Sequence, residues 1–80
     1  MISIIELDCQ PGNTRPGNLI GGVIEGTGLP IQEPVSKCFG NWTWEYEVEP
    51  EKWKEIATTI KERITALHKK GLIRYGSWTE

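Results

Sequence analysis

The stretch that most constrains this chain is EPEKWKEIATTIKERITALHKKG, residues 49–71. Trp53, Ile56, Ala57, Ile60, Ile64 and Leu67 recur at spacings of three and four, which winds them into one apolar stripe on a helix. Pro50 suits the first helical position, where a missing N–H costs nothing, and Glu49 and Glu51 stand at the positive end of the macrodipole. Lys69 and Lys70 stand at the negative end. Gly71 is placed for a left-handed C′ residue, with Leu72 as the apolar partner of a Schellman closure. A helix with a single apolar stripe must bury it, and it can cover only one face of a sheet. The remainder of the chain is therefore expected to supply that sheet.

Three segments read as its strands. ISIIELDC (2–9) alternates, with Ile5, Leu7 and Cys9 on one face and Ile2, Ile4, Glu6 and Asp8 on the other. NWTWEYEV (41–48) alternates more cleanly: Trp42, Trp44, Tyr46 and Val48 against Asn41, Thr43, Glu45 and Glu47. LIRYGSWT (72–79) reads as a final strand with mixed faces. NLIGGVIEGTG (18–28) is expected to be a further strand, bulged at Gly21 and Gly22 with a tryptophan lying over them. The tripeptide Pro-Gly-Asn at 11–13 and again at 16–18 predicts two type II turns. Pro30 and Pro34 make 29–38 an extended connection with room for a short edge strand. The expected fold is a single α+β domain over residues 1–80. It has two layers: a three- or four-stranded, mainly antiparallel sheet (β-β-β-α-β) and one amphipathic helix packed on one of its faces.

Charge is where function becomes legible. The net formal charge of −2 conceals a split. Residues 1–51 carry eight acids and two bases, whereas residues 52–80 carry seven bases and three acids. That asymmetry suggests one acidic and one basic surface, against the more ordinary reading that opposite charges simply solvate different elements. The first residues are too short and too acidic for a signal peptide, no apolar run approaches membrane-spanning length, and a cytoplasmic setting is expected. Cys9 and Cys38 would then be reduced, and a disulfide would require them to lie side by side.

Several chemistries lack their residues. The glycine-rich segments do not end in the Gly-Lys-Ser/Thr of a phosphate loop, and neither opens the predicted helix. Cys9, Cys38, His68 and Asp8 have no metal-ligand spacing, so no metal or other cofactor is expected. The remote enzymatic reading pairs Cys9 or Cys38 with His68, oriented by Asp8, but one helix on one sheet offers little depth for a water-excluding pocket. Base stacking on the rings of 42–46 would need interleaved cations, and the intervening residues are Thr43 and Glu45, with Glu47 next. An alternative nucleic-acid surface would use Lys54, Lys61, Arg63, Lys69, Lys70 and Arg74 around the basic end of the helix.

The favoured expectation is a non-enzymatic protein-binding module. Its outer sheet face would present Glu6, Asp8, Glu25, Thr43, Glu45 and Glu47, with Ile2, Ile4, Leu19 and Val23 among them. Such a face would occlude a basic surface on a larger protein, including one that itself binds nucleic acid, whose ligand it would mimic. Small inhibitors of this kind are frequent in phages and mobile elements, a base rate that no residue here carries. An unpaired edge strand would also allow pairing with a second copy.

Overall fold

In the computed structural model, residues 2–9, 15–38 and 40–79 are described. The long helix, α2, runs Pro50–Lys69 with Pro50 in its first turn and Glu49 as N-cap. Its buried positions are Trp53, Ile56, Ile60 and Ile64, with Ala57 and Leu67 packed against the same core. It closes as the sequence predicts. The Leu72 N–H donates to the Leu67 carbonyl, the Gly71 N–H donates to that of His68, and Gly71 takes φ 74°. This pattern of bonds is the Schellman motif.

Four strands form one antiparallel sheet: β1 (Ile2–Asp8), β2 (Ser36–Cys38), β3 (Asn41–Glu47) and β4 (Tyr75–Trp78). Their order across the sheet is β2-β3-β1-β4. The N-terminal strand is thus central, paired with β3 (Ile5 opposite Trp44) and with β4 (Ile5 opposite Trp78). Residues directly opposite in an antiparallel pair share a face. Ser3, Ile5, Leu7, Trp44 and Tyr46 therefore line the inner face, and all are buried. Trp44 and Trp53 are fully enclosed and dominate the core. Each contributes roughly 4–6 kcal/mol of apolar burial before chain entropy is counted.

The α+β two-layer arrangement and the β-β-β-α-β order are as expected, but residues 18–28 are not a strand. They form a 3-10 turn (Pro16–Asn18) running into a short helix, α1 (Ile20–Ile24). Ile20 and Ile24 fit an alternating spacing, but Ile20, Val23 and Ile24 together fit only a spacing of three and four, and packing against α2 buries all three. Val23 is consequently in the core and Leu19 packs against it, instead of both standing on the outer face. The second strand is the short edge segment at 36–38.

The second Pro-Gly-Asn is a 3-10 turn and not type II, because Gly17 is not among the glycines with positive φ. The first copy lies outside the described residues. A tryptophan does lie over a glycine, at a different place from the one expected. A Cβ on Gly17 would sit 2.6 Å from the Trp42 ring, whereas Gly21 meets only Ile31 and Gly22 meets nothing within 4 Å.

Candidate functional site

Among the described residues no helix covers the side of the sheet away from α2. The register sets Ile2 opposite Glu47, Ile4 opposite Glu45, Glu6 opposite Thr43 and Asp8 opposite Asn41, all on this face. On the β4 side Glu6 faces Ser77 and Asp8 faces Tyr75, and on the β2 side Thr43 faces Ser36 and Asn41 faces Cys38. Glu45 and Glu47 are exposed, with Ile2 50% exposed, Ile4 38% and Tyr75 51%. Carboxylates and aliphatic groups therefore alternate across the strands of an open, solvent-facing patch.

The six acidic-face residues named from the sequence do not all belong to it. Glu45 and Glu47 stand as expected, and Thr43 lies half-buried between Glu6 and Ser36. Glu6 is half-buried and accepts a hydrogen bond from the Ser77 hydroxyl at 3.3 Å. Asp8 is different. Its side chain is only 4% exposed and pairs with Arg74 at 2.6 Å, while the Arg74 N–H donates to the Asp8 carbonyl. That carboxylate is a structural tie between β1 and the approach to β4. Glu25 is not on the sheet: it ends α1, and its backbone carbonyl accepts from Arg63 of α2.

Tyr75 is the member that pattern reading missed. Trp78 packs against the core and stands three positions after Tyr75, an odd interval that places the two side chains on opposite faces. The signal was present once Trp78 was known to point inward.

The basic residues divide in the same way. Lys54, Lys61, Lys69 and Lys70 are exposed along and beyond α2. Arg63 is half-buried and engaged with the carbonyls of Val23 and Glu25, and Arg74 is engaged with Asp8. Two of the six cations of the alternative nucleic-acid surface thus hold the fold together.

The cysteine-histidine constellation is not assembled. Cys9 is buried on the core side and Cys38 is exposed on the outer side, so the two thiols lie on opposite faces, and both are free. Burial pushes the Cys9 thiol up, and the neighbouring Asp8 charge adds to the rise, the reverse of what activates a nucleophile. His68 is exposed in the last turn of α2. Among the described residues no three His, Cys, Asp or Glu side chains are grouped to hold a metal, and no helix is long and apolar enough to cross a membrane. Comparison with protein-family models, curated proteins and solved structures finds no match for this chain.

Proposed function

We propose that this chain is a non-enzymatic module that binds a larger protein through the uncovered face of its sheet and acts by occluding a basic, partly apolar surface. The observation that carries this reading is the register of β1 on β3, which seats Ile2 and Ile4 directly opposite Glu47 and Glu45 on an exposed face. Interfaces are built from a desolvated apolar centre with charges that steer and orient, and this patch holds both elements. Tyr75 adds the kind of side chain that anchors such contacts.

Charge density favours plain occlusion over mimicry. Duplex DNA carries one charge per about 1.7 Å of axis. Glu45 and Glu47, two residues apart on a strand, stand about 6.8 Å apart along it. The pairing of Asp8 with Arg74 dilutes the patch further. That spacing supports, as the partner, a basic protein surface with apolar ground between the cations.

The test compares two immobilised baits, the wild type and the double variant Glu45→Lys/Glu47→Lys, in host extract with and without nuclease treatment. Both replaced side chains are exposed, and circular dichroism and urea denaturation of the variant check that it stays folded. The expected result is a basic protein retained stoichiometrically by the wild type, eluted by salt, and reduced at least tenfold on the variant. Equal retention by both baits, or retention abolished by the nuclease treatment, overturns the reading. The second of these outcomes favours the exposed lysines of α2.

A further inference from the structure

The uncovered sheet face bears its large apolar groups in a narrow line. Ile2 and Ile4 stand exposed on β1, between β3 and β4, and Tyr75 stands exposed farther along on β4. Carboxylates flank the aliphatic end on the β3 side, where the register seats Glu47 and Glu45 opposite Ile2 and Ile4. We infer that the partner element lying on this face is an amphipathic helix. Its narrow apolar stripe runs along Ile2, Ile4 and Tyr75, and lysines or arginines on one flank meet Glu45 and Glu47. This rests on the protein-binding reading above and names the element that the site takes.

The backbone at the aliphatic end is closed to an added strand. The Ile4 N–H donates to the Thr79 hydroxyl at 2.7 Å, and the Glu45 carbonyl accepts from the Gln32 side-chain amide. Side chains thus occupy bonding positions on both flanks, and a partner must meet this end through the side chains of the face.

The dimensions suit a helix. With about 3.4 Å per strand residue, Ile2 and Ile4 stand about 6.8 Å apart, and Tyr75, opposite Asp8, lies about 14 Å from Ile4. A helix rises about 1.5 Å per residue, so side chains four apart match the first interval and those nine or ten apart match the second. A second sheet would need apolar groups on neighbouring strands, and the β3 positions beside Ile2 and Ile4 are carboxylates.

Charge and burial argue against the nearest rivals. Carboxylates repel a phosphate backbone. A second copy of this chain cannot supply the helix, because the apolar stripe of α2 (Trp53, Ile56, Ile60 and Ile64) is already buried in its own core.

The experiment places photoreactive benzoylphenylalanine at Ile4 in one bait and at Tyr75 in another, irradiates each in host extract, and maps the crosslinks on the retained protein. Both positions should mark one lysine- or arginine-bearing segment, at sites about seven to thirteen residues apart. Ile4→Ser, checked for folding by circular dichroism and urea denaturation, should cut retention about tenfold with both carboxylates intact. Sites about four residues apart, the spacing of an extended chain, overturn the helix and leave the protein-binding reading standing. Sites on unconnected segments, or undiminished retention by Ile4→Ser, do the same. If no protein is retained, or neither position crosslinks to the retained one, both readings of this face fall.

Discussion

Tyr46 carries a hydroxyl into the core with no hydrogen-bond partner among the described residues, and Ser3, directly opposite on β1, does the same. A buried polar atom left unpaired costs about 1–3 kcal/mol, so removing it should help. Tyr46→Phe is expected to raise stability by about 1 kcal/mol in urea denaturation, and a loss of stability would show that the hydroxyl is bonded in solution. The same burial sets an alkaline limit. It pushes the Tyr46 phenol up, and burial together with the Asp8 charge pushes the Cys9 thiol up. The unfolded chain then releases these protons at lower pH than the folded chain does. Their contribution is complete below the ordinary thiol value of 9.0 and is lost as pH rises through the raised folded values. The urea midpoint should fall above that pH. Cys9→Ala should flatten the early part of the fall, and Tyr46→Phe the part above the ordinary phenol value of 10.0. The slope against pH is the diagnostic, because Cys9→Ala also removes core volume. Unchanged slopes in both variants would assign the alkaline loss to other groups.

Two glycines show how elements approach one another. A Cβ on Gly76 of β4 would lie 2.5 Å from Ile64 Cγ2 of α2 and 3.1 Å from Ile73 Cδ1, so the bare backbone lets the long helix sit close against the edge strand. Gly76→Ala should cost about 1–3 kcal/mol in thermal or chemical denaturation, the usual penalty for overpacking a core. Gly22→Ala, with open space at its Cβ, should instead gain up to about 1 kcal/mol. Equal effects at the two sites would refute the close approach of α2 to β4. These positions also mark how far pattern reading carries. The helix over 50–69 and the strand over 41–47 were legible because each satisfies only one period over a long run. Residues 20–24 are too short a run for either period to stand out, and a tertiary contact with α2 accompanies the helix that buries Ile20, Val23 and Ile24 together. The weight of Gly76 depends on which side chain lies across from it, which no local pattern records.

At the scale of the molecule, the charge split along the chain becomes a partial split between layers, because α2 also exposes Glu51, Glu55 and Glu62. Glu45 and Glu47 face out from the sheet, while Lys54, Lys61, Lys69 and Lys70 stand on the helical side. The alternation of β1 and β3 foretold which side chains share a face. It could not foretell that Asp8 would be neutralised, because Arg74 lies sixty-six residues away and meets it only through the pairing of β4 with β1. Nor did it place β1 at the centre of the sheet, since periodicity specifies faces and not neighbours. That central position has a measurable consequence. β1 is bonded on both sides, to β3 and to β4, and the Thr79 N–H extends the second ladder to the Ile4 carbonyl. Its ladder-bonded amides should therefore exchange hydrogen only when the whole domain unfolds, with the free energy and urea dependence of global unfolding. The connection 29–35, with Ile31 73% exposed and Val35 58%, is tied to β3 mainly by bonds from Gln32, Trp44 and Val35. Its amides should open locally at low cost and with almost no urea dependence. Native-state exchange read by mass spectrometry separates the two regimes. If residues 29–35 exchanged as slowly as β1, the connection would belong to the cooperative unit and the sheet would not be organised around its N-terminal strand.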